Sequence, residues 1–293
     1  MIRIQQVTKR FGSFQALDNL TLTAPKGSVY GLVGPNGAGK STAIRCLTGV
    51  YRLEDGAVTI GGEAVWENSV VKARIGYIPD EFFYFPSASL QEMRRYYRGI
   101  YPSFDDAVFL QLMQVFELPD KSAIRRFSKG MQKQAAFMLA VAQRPEILIL
   151  DEPVDGLDPV MRRQVWSLVL ADVEKYEATV LVSSHNLREL EDVCDHVGIM
   201  DHGRMLLERS LADMQGSTVK LQIADVIPEG LEILHQSTSG RLNTLVVRGT
   251  AQEITARAAA AGSAYFDVLP LSLEEIFIYE LGGADYAVKD IVL

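Results

Sequence analysis

Ser28-Val-Tyr-Gly-Leu-Val-Gly34-Pro-Asn-Gly-Ala-Gly-Lys40-Ser41 is the stretch on which the fold turns. Its first half is a short apolar, β-branched run bounded by glycine, the pattern of a strand buried on both faces. Its second half fits G-x-x-x-x-G-K-[ST] at every fixed position. Thr42-Ala-Ile-Arg-Cys-Leu-Thr-Gly-Val50 then carries apolar residues at helical spacing, so a helix begins near Gly39 and ends near Gly49. A glycine-rich turn between a buried strand and a helix start is a cradle for phosphate. Gly34, Gly37 and Gly39 let the backbone through Pro35, Asn36 and Ala38 turn tightly and aim successive N–H groups inward. The helix N-terminus adds partial positive charge, and Thr42 beside Ser41 is counted with the loop among the nucleotide-binding residues. Lys40 supplies a point charge for β- and γ-phosphates, and the Ser41 hydroxyl is suited to ligate magnesium.

Upstream, Ile2, Ile4 and Val7 alternate with Arg3, Gln5 and Thr8 as in a strand, and a second strand falls around Leu20–Thr23. Downstream, residues 87–145 read as helical, with Leu90, Met93, Tyr97, Phe109, Leu112, Met113 and Phe116 at three- and four-residue steps and a strong helix from Gly130 to Gln143. Ile147-Leu-Ile-Leu-Asp151 and Thr179-Val-Leu-Val-Ser-Ser184 are two more buried parallel strands, joined by a helical stretch from Val160 to Tyr176. Residues 197–208 read as a hairpin turning at His202–Gly203. The first of the two parallel strands ends in two acids. Ligands gather at the carboxyl ends of parallel strands, so Asp151 is placed to hold magnesium and Glu152 to polarise an attacking water.

Composition narrows the classes. Hydrophobic residues make up 48% and charged residues 23%, which excludes global disorder. A net charge of −8 argues against a nucleic-acid partner. Two distant cysteines, Cys46 and Cys194, exclude a disulfide framework or a cysteine-only zinc site. The opening residues lack the apolar stretch of a signal peptide, and no run approaches about 18 apolar residues, so the chain is not expected to span a membrane by itself.

Five ordered motifs together resemble the ATP-binding subunits of ATP-binding-cassette (ABC) transporters over residues 1–216. Besides the phosphate loop and the acid pair, Phe127-Ser128-Lys129-Gly130-Met131-Gln132 is similar to the family's signature loop, usually L-S-G-G-Q. Asp155-Gly-Leu-Asp158-Pro159 resembles the loop after the acids, and Ser183-Ser-His185 resembles the switch-histidine segment. The resemblance implies an α/β fold: a P-loop cassette with a mainly parallel core sheet, an N-terminal antiparallel β subdomain and an α-helical subdomain at about 87–145. It implies ATP and magnesium as cofactors, Phe11 stacked on adenine, Ser128, Gly130 and Gln132 of the signature loop at nucleotide held by a second ATP-binding subunit, and Asp158 among the nucleotide-binding residues. His185 would bond the γ-phosphate, whereas His196, His202 and His235 read as structural. A separate transmembrane permease would carry the substrate, holding the chain at the cytoplasmic face of the membrane.

Two positions depart from the pattern. Asp80, after Ile75-Gly76-Tyr77-Ile78-Pro79, stands where the family has a glutamine that touches magnesium and water, and Lys129 replaces the first signature glycine. Asp80 still qualifies as a magnesium ligand or water acceptor. The four aromatics Phe82 to Phe85 suggest a partner surface, with Phe83 to Phe85 receiving a helix of the membrane subunit. Composition shifts near Gly216, so residues 217–293 are expected to form a small α/β accessory domain whose Leu273, Ile276 and Phe277 mark a short amphipathic helix. Its end resembles bacterial exporters of drugs, antibiotics or lipids, making export the expected direction. A soluble cassette ATPase of translation, repair or cofactor assembly is the alternative reading. A nucleotide-binding regulator without turnover is disfavoured because Glu152 and His185 fill both catalytic positions.

Overall fold

The computed structural model describes residues 1–82, 84–224, 226–263 and 265–280, with the side chains of Gln215, Phe277 and Glu280 outside that description. The chain runs β1 (Ile2–Phe11), β2 (Phe14–Ala24), β3 (Val29–Val33), α1 (Lys40–Leu47), β4 (Asp55–Ile60), β5 (Glu63–Ala64), α2 (Ser69–Lys72) and β6 (Ile75–Ile78). Then come α3 (Leu90–Ile100), α4 (Asp106–Phe116), α5 (Lys129–Ala142), β7 (Ile147–Asp151), α6 (Pro159–Tyr176), β8 (Thr179–Ser184), β9 (His196–Asp201) and β10 (Arg204–Ser210). It closes with α7 (Leu211–Ser217), β11 (Thr218–Ala224), β12 (Glu232–Ser239), β13 (Leu242–Arg248), α8 (Ala251–Ala260), β14 (Phe266–Pro270) and α9 (Leu273–Glu280). Two compact units divide these elements: residues 1–186 with 193–208, and residues 187–192 with the chain from Arg209 onward.

In the first unit a six-stranded sheet has the order β10-β9-β3-β8-β7-β6, and β9, β3, β8, β7 and β6 pair in parallel. Every residue of β3, β7 and β8 is buried, which is why these segments read as continuous apolar runs rather than alternating ones. A four-stranded antiparallel sheet, β2-β1-β4-β5, faces the same core. There Ile2, Ile4, Leu20 and Leu22 meet Leu32 of β3, Ile44 and Leu47 of α1, and Ile149 of β7. Bulges after Ile4 and Val7 re-phase the alternation of β1, so the strand continues to Phe11 where period-two reading lost it.

Helices α3, α4 and α5 pack on one another through Leu90, Met93, Phe109, Leu112, Phe116, Met138 and Leu139. Their starts are chemically marked. Ser89 and Glu92 form a capping box at α3, Asp105 caps α4, and Ser128 caps α5 by accepting from Met131 N–H. Tyr84 belongs to this cluster: it is partly buried against it and its hydroxyl donates to the Gln132 carbonyl at 3.2 Å. That corrects the expectation that Phe83 to Phe85 together form a docking surface. Phe85 is half-exposed, Tyr84 is inside, and Phe83 lies outside the described residues.

The second unit holds the sheet β12-β13-β11-β14, with α8 packed through Ile254 and Ala258 against Leu221, Leu245 and Val247. Leu273 and Ile276 of α9 are buried, and Arg188 donates to Glu274 at 2.8 Å. β12 was invisible to periodicity because Glu-Ile-Leu-His-Gln-Ser-Thr-Ser is an edge strand, exposed along nearly all its length. Among the described residues no helix is long and apolar enough to cross a membrane.

One ion pair ties the helical part to the sheet layer. Arg144 donates to buried Asp172 of α6 at 3.0 Å, lies 3.5 Å from Asp105, and stacks over Tyr176 at 4.2 Å. Burial pushes the Asp172 carboxyl above its ordinary range while Arg144 pulls it back. Arg144→Ala would strand that carboxylate, at an expected cost of about 2–4 kcal/mol. Urea unfolding tests this, and an unchanged midpoint would show that the pair contributes nothing.

Candidate functional site

The parallel sheet dictates where the site forms. β3, β6, β7 and β8 run the same way, so Gly34 after β3, Asp80 after β6, Asp151 and Glu152 at the end of β7 and His185 after β8 emerge along one edge. Register does the fine placement. Val33 lies opposite Ser184 and Asp151 opposite Ser183, while Gly34 N–H bonds to the Ser184 carbonyl at 3.4 Å.

The phosphate loop wraps from Gly34 to Ser41 with Pro35, Asn36 and Gly37 exposed and Ala38 buried. Two glycines are required by close approach. A Cβ on Gly34 would sit 2.2 Å from the Met200 carbonyl oxygen, and one on Gly39, at φ +103°, 2.7 Å from that of Ala16. The β9–β10 hairpin supports the loop from outside. His202 and Gly203 both take positive φ at its turn, and Gly203 N–H donates to the Ala38 carbonyl at 2.9 Å. That hairpin was legible as a turn, but nothing in its residues signalled what it would rest on.

Lys40 is only 6% exposed and donates to the carbonyls of Gly34 at 2.6 Å and Pro35 at 3.3 Å. The same ammonium lies 3.5 Å from Glu152 Oε1. The other carboxylate oxygen of Glu152 is 3.0 Å from His185 Nδ1, so Glu152 stands between a fixed cation and an imidazole. Its backbone is left-handed, φ +48°, which costs a non-glycine residue about 1 kcal/mol. Thr42 follows in the first turn of α1, half-buried.

Asp151 is 2% exposed and accepts from Ser183 Oγ at 2.7 Å and Ser41 Oγ at 3.2 Å. Burial pushes its carboxyl above the ordinary range. The two hydroxyl bonds oppose this, and the charges of Glu152 and Asp80 add to it. Asp80, itself exposed, is therefore within electrostatic reach of Asp151. Ser183 also accepts from Glu152 N–H at 3.0 Å, so one hydroxyl aligns both acids. Sequence reading assigned Ser183 no role, since only strand register reveals one. Oxygen donors of Ser41 and Asp151, in a surround of excess negative charge, fit a small hard cation such as magnesium.

The remaining candidates sit apart from this cluster. Phe11, 44% exposed, meets Tyr51 edge-on at 5.3 Å with the Lys9 ammonium 5.2 Å from its ring. Ser128 accepts from Met131 N–H, and Gly130 faces Leu157. First-turn N–H groups of a helix have no intrahelical acceptors, so the start of α5 retains donors for an anion. The Gln132 amide donates to the Phe127 carbonyl at 3.0 Å, and Asp158 caps α6 by accepting from Val160 and Met161. Both side chains thus have local backbone duties that account for their presence.

A glycine-rich loop clamped between a parallel strand and a helix, facing a strand-end acid pair, defines a P-loop nucleotide-binding protein. The profile of the family described as ABC transporter matches residues 17–155. The ABC transporter ATP-binding protein YtrB of Bacillus subtilis is 29% identical, over 97% of this chain and 99% of its own. The bacitracin transport ATP-binding protein BcrA of Bacillus licheniformis is 32% identical, over 71% of this chain and 69% of its own. A solved structure of an ATP-binding subunit of an ABC transporter superposes with a TM-score of 0.68 at 26% identity, covering 73% of this chain and 92% of that one. The chain belongs to the ABC transporter family, as an ATP-binding subunit.

The close approach at Gly34 gives a stability test. Gly34→Ala drives a methyl into the Met200 main chain and should cost about 1–3 kcal/mol. Gly37→Ala meets nothing within 4 Å and should cost only its φ strain of about 1 kcal/mol. Thermal unfolding of the two variants would refute this packing if Gly37→Ala proved the more damaging.

Proposed function

We propose that this chain is a magnesium-dependent ATPase that drives a separate membrane permease, moving substrate outward. The observation that carries the reading is the meeting of Lys40, Glu152 and His185 beside the phosphate loop, with Asp151 and Ser41 joined next to them. The loop N–H groups and Lys40 would bind the β- and γ-phosphates, exchanging the Gly34 and Pro35 carbonyls for phosphate oxygens. Ser41 and Asp151, with Asp80 nearby, would hold the magnesium, which neutralises charge on the phosphates. Glu152 accepts a proton from the water that attacks the γ-phosphorus, and the bond to the bridging oxygen of ADP breaks. His185, 3.0 Å from Glu152 and 45% exposed, keeps a face free to contact the γ-phosphate.

Family membership supports a second cassette as partner, identical or homologous, with the start of α5 and its Ser128–Gly130 segment serving the neighbour's nucleotide and Phe11 serving adenine in its own. Residues 217–293 are read as an accessory domain. Peripheral attachment to the cytoplasmic face of the membrane follows from the permease partner, and export from the closing segment's resemblance to exporters.

Glu152→Gln should cut turnover by about 10²–10⁴-fold while ATP still stabilises the protein against heat. Undiminished hydrolysis would remove Glu152 from the mechanism. The permease surface is read at Phe85, which packs edge-on against Tyr96 at 5.4 Å; these two and Ile100 are each about half-exposed. Affinity purification of the tagged chain from detergent-solubilised membranes should recover a stoichiometric multi-span protein, and a Phe85→Ala, Tyr96→Ala double variant should lose it while staying folded. Recovery from the soluble fraction alone would replace the transporter reading by that of a soluble cassette ATPase.

A further inference from the structure

Lys133 of α5 is 6% exposed, and its ammonium reaches out of the helix to the segment that follows β7. It donates to the Glu152 carbonyl at 2.9 Å and to the Asp155 carbonyl at 2.6 Å. Both contacts fall on main-chain carbonyls, and together they immobilise the segment that carries Glu152.

What Lys133 immobilises is the backbone of Glu152. That residue is left-handed at φ +48°, a region that side-chain-bearing residues visit sparingly. Its N–H is held by Ser183 Oγ from β8 at 3.0 Å, and its carbonyl by Lys133 from α5 at 2.9 Å. Both main-chain groups of Glu152 are thus bonded, one to β8 and the other to α5. The carboxylate then lies between Lys40 and His185. Ser128, which caps the same helix, is five residues from Lys133. Lys133 therefore links the helix that opens at Ser128 to the segment that carries the acid.

We propose that Lys133 is a positioning residue for ATP hydrolysis: by anchoring the Glu152 and Asp155 carbonyls it orients Glu152 and couples the start of α5 to it. The assignment depends on Glu152 acting as the proton acceptor, and the experiment separates the two. Steady-state kcat and KM for ATP, ATP-dependent thermal stabilisation and the unfolding midpoint would be measured on the full chain for Lys133→Met, Lys133→Gln, Lys133→Arg and Glu152→Gln. Lys133→Met keeps the length of the side chain without its donors, and should lower kcat by roughly 10–100-fold with KM within about threefold. Lys133→Arg, which can still donate to both carbonyls, should recover most of the rate, with Lys133→Gln between them. Single-turnover hydrolysis by a Lys133→Met, Glu152→Gln double variant should be no slower than by Glu152→Gln alone.

If Lys133→Met fails to fold, the order of Lys133→Gln below Lys133→Arg at equal KM carries the same test. Wild-type kcat in the Lys133 variants beside an inactive Glu152→Gln would overturn the positioning role and leave Glu152 standing. Losses of kcat that only track lost ATP affinity or a lower unfolding midpoint would also overturn it, reducing Lys133 to a structural contact. Full turnover by Glu152→Gln would remove the proton acceptor itself, and the role of Lys133 with it.

Discussion

Asp151 holds a carboxylate almost entirely out of water, and the organisation of the site follows from making that tolerable. A buried carboxylate needs donors at short range. Here they are two hydroxyls, Ser183 from the neighbouring strand and Ser41 from the first turn of α1. Neither is charged, so the acid keeps an unbalanced negative charge beside Glu152 and Asp80, and its carboxyl is pushed upward as a result. Excess negative charge with oxygen donors is a disposition toward a hard cation, and the phosphate loop brings the partner for that cation to the same edge.

Lys40 and Glu152 form the second layer of this balance. The ammonium donates to two carbonyls of its own loop and lies within ion-pair distance of the glutamate, whose far oxygen meets His185. Nucleotide phosphates would enter competition for a lysine that already has partners. Lys40, Glu152 and His185 thus form one connected group. The acid end of that group hangs on main-chain anchors from β8 and α5, so its geometry answers to strand register and to helix position alike.

The segment from Phe82 to Phe85 shows how a composition signal divides once packing is known. Four rings in a row cannot all face one way. Tyr84 turns into the helical cluster, where its hydroxyl reaches the Gln132 carbonyl, and Phe85 turns outward onto Tyr96. Gln132 and Asp158 show the complementary case: side chains that a motif match sets at the nucleotide are engaged as local caps and braces of α5 and α6.

Sequence by itself determined the strand–loop–helix of residues 28–47, the acid pair at the end of β7, the helices between Leu90 and Ala142, and the order of the motifs, because each is written in residues adjacent along the chain. Periodicity, glycine and caps are local signals, and they read correctly where the element is buried on a regular face. They fell silent at β12, an exposed edge strand, and at the bulged end of β1, where alternation is interrupted. Tertiary structure alone decided that Ser183 aligns both acids, that the His202–Gly203 turn props the phosphate loop, and that Lys133 reaches Glu152. These contacts join residues from 19 to more than 100 positions apart, set by which strands lie side by side and which helix packs over them. No window of sequence contains them.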